Sequence, residues 1–373
     1  MFEYPLVLSL ACIAAPSIYP YAKKLSLYAR DVLYPAALGG FTYILITQPS
    51  NLGLNSDTLI TILGYGLPVL LCAGFMRRPL RFGIGVAALF FAATFATYQT
   101  EDIIHTDRSF FGVNQVALYD YGDANQYRIL LHGNTVHGMQ CLDTLRKNEP
   151  MSYYTRNGPV GQMFNALGNS RSHDPVAVIG LGCGVLVSYA KENQRWDLYE
   201  IDPAVERLAR DPHYFSFIRD CAPNAKVILG DARLSLAHAP DALYGLIFLD
   251  AYSSDSPPLH LLTREAIQLY LKKLAPHGLL IFNITNRHFN LQRLVSALVI
   301  DAGLPAIIGD DMQAQPGDEE RGKIPSRWLV AARSFNDFEP LVHDQRWKPA
   351  QIDSAQKVWT DDFASLLSIM TWK

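Results

Sequence analysis

The sequence predicts an α/β protein: a doubly wound, mostly parallel sheet, preceded by a small β subdomain and, before that, by a region of apolar helices. Three observations carry this expectation. Charge is sparse in the first hundred residues, short alternating segments follow, and from Pro175 onward apolar runs of strand length alternate with helical ones. The 373 residues leave room for two or three domains. The changes of pattern place a membrane region at 1–100, a β subdomain at 101–150, the doubly wound domain at 151–335 and a C-terminal extension at 336–373.

Residues 1–100 carry six basic side chains (Lys23, Lys24, Arg30, Arg77, Arg78, Arg81) and three acids (Glu3, Asp31, Asp57). The intervals 4–22, 32–56, 58–76 and 82–100 contain no charge. A membrane-crossing helix needs roughly 20 mostly apolar residues, so the last three intervals are expected as transmembrane helices. Pro5, Pro16 and Pro20 cut the first into an interfacial or half-crossing segment. Glu3 and the lack of an N-terminal basic cluster argue against a signal peptide. The expected partners of this region are the lipid bilayer and a second copy of the chain, since Gly64, Gly66, Gly83 and Gly85 permit close helix contacts; the same glycines suit packing within one chain.

The whole chain balances 32 basic against 35 acidic residues, which excludes a nucleic-acid signature. Its five cysteines are widely spaced and form no CxxC pair, so neither a disulfide framework nor a zinc site is expected.

After Thr100 the segments VNQVALYD, QYRILLHG and TVHGMQCL, with a turn at YGDAN, predict two or three antiparallel strands within 109–146. VAVIG, WDLYEID, KVILGD, YGLIFLD, GLLIFNIT, PAIIGDD and RWLVAARS then read as strands, and VLVSYAKEN, AVERLAR, REAIQLYLKKL and LQRLVSALVIDA as helices. Strands separated by helices imply parallel βαβ units, whose ligands sit at the carboxyl ends of the strands. The stretch 310–326 reads as an exposed connection, and FASLLSIM near the C-terminus as a helix capped by Asp361 or Asp362.

Those strand ends carry the candidate chemistry. The first runs into Gly180, Gly182 and Gly184, which let the backbone turn tightly and approach a ligand. The second ends in Glu200, with Asp202 two residues on, and a carboxylate there accepts hydrogen bonds from both ribose hydroxyls. A nicotinamide dinucleotide would share these features. The third ends in Gly230, Asp231 and Ala232, an acid placed to read an adenine amino group. The fourth ends in Asp250, followed by Asp255, the pair Pro257–Pro258, Thr263 and Glu265.

GxGxG, the acid and Gly-Asp-Ala together resemble the class I fold that binds S-adenosylmethionine. Asp250 followed by Thr263 and Glu265 resembles the catalytic loop of the spermidine synthase family. Its membrane-fused, spermidine-synthase-like group is similar to this chain in EYPL, RSFFGV, HGNTVHGMQ, YYTRNGPVG, GDARLSL, DAYSSDSPPLHLLT, NITNR and WTDDF, over roughly 109–305 for the catalytic part. The resemblance implies a polyamine aminopropyltransferase with decarboxylated S-adenosylmethionine as small-molecule substrate, Asp250 as general base, Asp255 as second acid, Tyr153 at the amine site and Gln140 facing the ligand, while the hairpin turn is expected to bring one histidine, His137, to the pocket.

Two departures affect the substrate. Where the family's glycine loop has an aspartate this chain has Cys183, and the amine-binding acids near Tyr153 are missing. A cysteine there tolerates intact S-adenosylmethionine. Aminopropyl transfer, lyase chemistry giving methylthioadenosine and homoserine lactone, methyl transfer and a non-catalytic ligand sensor therefore stay open. His132 and His137 lack a third partner for a metal, and Asn283, Asn286 and Arg287 either rim the cleft or cap a helix. The resemblance also implies a catalytic domain on the cytoplasmic face of a bacterial inner membrane. Arg77, Arg78 and Arg81 favour the opposite side if three helices cross, and an in-plane segment reconciles the two.

Overall fold

The computed structural model describes residues 3–15, 25–54, 56–98, 102–122, 125–133, 135–252, 256–351, 353 and 356–371. It forms two compact units, Met1–Asp102 and Ile103–Lys373. The first contains α1 (Glu3–Ala14), α2 (Leu25–Thr47), α3 (Asp57–Thr61), α4 (Leu67–Ala73) and α5 (Pro79–Tyr98), with a π-helical turn at Ile62–Gly66.

Among the described residues no helix is long and apolar enough to cross a membrane. The three expected spans, and with them the membrane localisation, are therefore not supported. Freedom from charge is not the same as apolarity. The interval 58–76 breaks into three short helical pieces, α2 contains Arg30, Asp31 and Pro35, and α5 contains Arg81. The charges are also used internally: Asp31 is 1% exposed, with Arg81 at 2.8 Å and Arg78 at 3.6 Å, so these arginines are not a free orientation signal. Gly83 and Gly85 pack within the chain. A Cβ at Gly83 would lie 2.7 Å from the Ser9 carbonyl and one at Gly85 2.9 Å from the Cys72 sulfur, which accounts for both without a second copy.

The second unit begins with a four-stranded antiparallel sheet, β1 (Asp102–Ser109), β2 (Gly112–Asp120), β3 (Gln126–His132) and β4 (Thr135–Cys141), in the order β1-β2-β3-β4. β1 adds a strand that the polar run EDIIHTDRS concealed. There follow α6 (Pro159–Leu167), β5 (Val176–Ile179), β6 (Trp196–Glu200), α7 (Pro203–Arg210), α8 (Phe217–Cys221), β7 (Lys226–Leu229) and α9 (Ala232–Ala237). Then come β8 (Tyr244–Leu249), α10 (Arg264–Lys273), β9 (Leu274–Asn283), α11 (Leu291–Asp301), β10 (Ala306–Asp311), β11 (Ser326–Ala332) and β12 (Trp347–Pro349).

These strands form one eight-stranded sheet ordered β12-β10-β11-β9-β8-β5-β6-β7. From β7 to β9 the pairing is parallel, and β11 runs antiparallel between β9 and β10. The chain winds outward from β5 to β7 and then returns to β8, so the order reverses at β5, where an open α/β sheet places its ligand crevice. The apolar runs are continuous because both faces are covered. Val176, Val178, Leu246 and Phe248 enter one core, and Ala177, Ile179, Ile247 and Leu249 the other.

Two expected helices are shorter than their patterns suggested. VLVSYAKEN forms only a 3₁₀ turn, Val185–Tyr189, since two β-branched valines disfavour a helix and Asn193 takes a left-handed conformation. FASLLSIM is likewise a 3₁₀ turn, Leu366–Ile369. The segment before it folds back on α10. Asp361 accepts two hydrogen bonds from Arg233, both 2.7 Å, and one from Thr263, 2.8 Å, while its amide donates to Glu265. The Thr263, Glu265 and WTDDF motifs thus form one staple, and Asp361 is spent in it rather than on a ligand.

Candidate active site

Gly180 and Gly182 follow β5 with φ of 99° and 54°, in the left-handed region that side chains disfavour. A Cβ at Gly180 would stand 2.4 Å from the Asp250 carbonyl and one at Gly182 2.3 Å from that of His137. The loop is therefore pressed between β8 and β4, with no room for a side chain. Gly184, at φ 84°, starts the 3₁₀ turn and does not line the cavity beside the loop.

That cavity, of about 290 Å³, is walled by Gly180, Gly182, Glu200, Asp202, Ala232, Asp250 and His137, closed by Phe111 from the hairpin and by Pro258 and His260 from the loop after β8. Glu200 is 9% exposed and accepts from the amides of Leu181 at 3.0 Å and Asp202 at 2.8 Å. Burial raises its carboxyl pKa, against those hydrogen bonds. Each oxygen keeps a lone pair for a ligand hydroxyl.

Asp202 caps α7 through the Ala204 amide and accepts from Ser109 at 2.6 Å and Asn114 at 2.9 Å, tying the hairpin sheet to the larger one. Asp202→Ala is expected to remove about 2–4 kcal/mol of stability, because it leaves the buried Asn114 amide without its acceptor and α7 without its cap. Urea unfolding with unchanged m-value checks this.

Asp231 was expected to read the adenine. It caps α9 through the Leu234 amide and pairs with His260 at 3.0 Å, and it is His260 and Ala232 that line the cavity. Gln140 lines neither this cavity nor its neighbour, because its buried amide is engaged with Ser216 and the Lys147 carbonyl. Cys183 is also outside both: it is fully buried against Gly138, and burial pushes its thiol pKa up. Asp255 lies outside the described residues.

A second cavity, of about 510 Å³, shares His137, Gly182, Asp250 and Tyr252 with the first. Tyr153, Asn283, Thr285, Asn286 and Arg287 line it as well. Asp250 stands between the two. Its Oδ2 accepts from the Tyr154 hydroxyl and its Oδ1 from the Asn283 amide at 2.8 Å. Burial raises its carboxyl pKa to about 6, opposed by the hydrogen bonds from Tyr154 and Asn283. Tyr154 makes this contact, and its neighbour Tyr153 lines the larger cavity beside it. Ser152, at φ 61° and fully buried, precedes the two tyrosines; its carbonyl accepts from the Ile324 amide and its amide donates to the Gly322 carbonyl. Among the described residues no group of three His, Cys, Asp or Glu side chains is placed to hold a metal.

The strand order, the glycine loop after β5 and the acid at the end of β6 define the class I methyltransferase-like α/β fold. The chain is also similar to proteins already described. It is 32% identical over 135 residues to the polyamine aminopropyltransferase of Vibrio vulnificus (strain CMCP6), a match covering 35% of this chain and 42% of that one. The chain thus spans less than half the length of that curated relative. In fold it is similar to a probable spermidine synthase from Corynebacterium glutamicum ATCC 13032, with a TM-score of 0.51 and 16% identity over 70% of this chain and 98% of that one. Spermidine synthase from Thermotoga maritima aligns at a TM-score of 0.44 and 14% identity, over 68% and 80%. No protein-family profile matches. The resemblance read from the motifs to spermidine-synthase-like proteins therefore holds.

Proposed function

We propose that this chain transfers an alkyl group, the aminopropyl group in the first instance, from a sulfonium nucleoside to an amine and releases 5'-methylthioadenosine. The observation that carries the proposal is the position of Asp250 on the wall shared by two cavities, fixed there by Tyr154 and Asn283. The nucleoside would occupy the smaller cavity, with ribose hydroxyls on Glu200 and adenine against Ala232 and His260. The amine would enter through the larger one.

Asp250 takes a proton from the incoming ammonium. The freed nitrogen lone pair attacks the carbon next to the sulfonium, the carbon–sulfur bond breaks, and its electron pair neutralises the sulfur. Charge is lost in the departing thioether, so the reaction needs no oxyanion stabilisation. The partly apolar cavity favours it by withholding water from the cation.

A base must be unprotonated to act, so activity is expected to rise with pH through about 6 on the acid side. Tyr154→Phe removes a hydrogen bond that favours the charged carboxylate, which raises the Asp250 pKa and moves this limb to higher pH. A pH profile of kcat/KM for both proteins checks the sign.

The direct test incubates purified full-length protein with S-adenosylmethionine or its decarboxylated form, with and without an amine, and identifies products by mass spectrometry. Methylthioadenosine together with an alkylated amine supports the proposal. Methylthioadenosine released from S-adenosylmethionine without any acceptor identifies a lyase, and S-adenosylhomocysteine overturns the proposal in favour of methyl transfer.

A further inference from the structure

The larger cavity has an unexpected charge pattern for a diamine. Among its described lining residues the only carboxylate is Asp250, and the only side chain with a fixed charge is the guanidinium of Arg287. The remaining polar lining includes His137, Tyr153, Asn283 and Thr285. Two nearby acids are committed elsewhere: Asp310 lies 2.6 Å from Arg327 and Asp311 3.0 Å from Lys323, and neither lines the cavity.

Arg287 is held by its backbone. The Asn286 side chain accepts from the amides of His288 and Phe289 at 2.9 and 2.8 Å, closing a tight turn around it. From the other side the Thr371 hydroxyl donates to the Arg287 carbonyl, and the Thr371 amide donates to His288 at 2.9 Å. Phe289 and Met370 form a β-bridge. The guanidinium itself pairs with no carboxylate among the described residues.

We infer that this cavity takes an amine that also bears a carboxylate, with the amine at Asp250 and the carboxylate on Arg287. This rests on the transfer reading above and names the class of its second substrate. A diamine that gives one proton to Asp250 still presents an ammonium at its far end, where this cavity offers a like charge. A carboxylate in the same place gains a charge-assisted, potentially bidentate pair. The same chemistry has a second possible source, the amino-carboxylate end of intact S-adenosylmethionine.

Putrescine and 4-aminobutyrate separate the cases, because they share a four-carbon spacing and differ only at one end. Binding of each to the full chain saturated with methylthioadenosine is measured by calorimetry, and transfer by product analysis. The expected result is a preference for 4-aminobutyrate of about fivefold or more, reversed in Arg287→Glu and kept in Arg287→Lys. Arg287 is exposed, so these variants should fold. If Arg287→Glu instead weakens intact S-adenosylmethionine but not its decarboxylated form, the carboxylate is the ligand's own, and the inference about the second substrate is overturned. Equal binding, a preference for putrescine, or a preference that Arg287→Glu leaves unchanged overturns the inference. If the preference is present but no acceptor yields methylthioadenosine, the transfer reading falls and the selectivity of the cavity remains.

Discussion

Asp250→Asn is expected to lower kcat by about 10²- to 10⁴-fold, the usual contribution of a positioned general base, while methylthioadenosine still binds within about threefold. The substitution keeps the shape and removes the capacity to take a proton. It also exchanges one acceptor for a donor. Asp250 receives from Tyr154 on one oxygen and from Asn283 on the other, so an amide in its place must set its own NH₂ against one of these donors. Part of the loss will therefore be positional. Asn283→Asp, which places a second carboxyl beside the first, separates the two contributions: a raised Asp250 pKa shifts the pH profile upward, whereas displacement of the side chain lowers the plateau. Single-turnover methylthioadenosine release, together with equilibrium binding, measures both. A protein that retains turnover as Asp250→Asn does not use this carboxylate as its base.

The elements legible in the sequence were those whose side chains repeat. β5 and β8 are unbroken apolar runs because both faces of the sheet are covered, and the ends of β5, β6 and β8 are marked by glycine or acid, so Gly180, Gly182, Glu200 and Asp250 stand together at one cavity. What stayed illegible was the use to which polar residues are put. Asp231 and Asp202 occupy positions that suit a ligand, yet each spends oxygens on a helix cap. Gln140 is consumed by a turn far off in the sequence, at Ser216. Tyr154 and Asn283 hold Asp250 from loops and strand ends that have no periodicity to reveal which side chain points inward. The N-terminal region is a different case. Charge-free intervals do not fix where helices begin and end, and the ion pair between Asp31 and Arg81 cannot be seen from residues fifty positions apart.

Gly182→Ala should badly disturb the smaller cavity, and its effect can be divided into two parts. The residue has φ +54°, where any Cβ is strained by about 1–2 kcal/mol. Gly303, at φ +73° with nothing within 4 Å of its ideal Cβ, carries only this first cost. Gly303→Ala is thus expected to destabilise by about 1 kcal/mol and leave binding alone. At Gly182 the new methyl would lie 2.3 Å from the His137 carbonyl. The contact is with backbone, so no side-chain rotation relieves it, and either the glycine loop or the end of β4 must move. Both line the cavity, and His137 lines both cavities. A shift of about an ångström there is enough to cost on the order of a hundredfold in rate or affinity. The expected result is a further loss of about 1–3 kcal/mol over the Gly303 variant and loss of methylthioadenosine binding by about a hundredfold, measured by thermal unfolding and calorimetry on the two variants side by side. If the two alanine variants lose the same stability and both keep the ligand, the loop is not pressed against β4, and the cavity is not shaped by the absence of a side chain at Gly182.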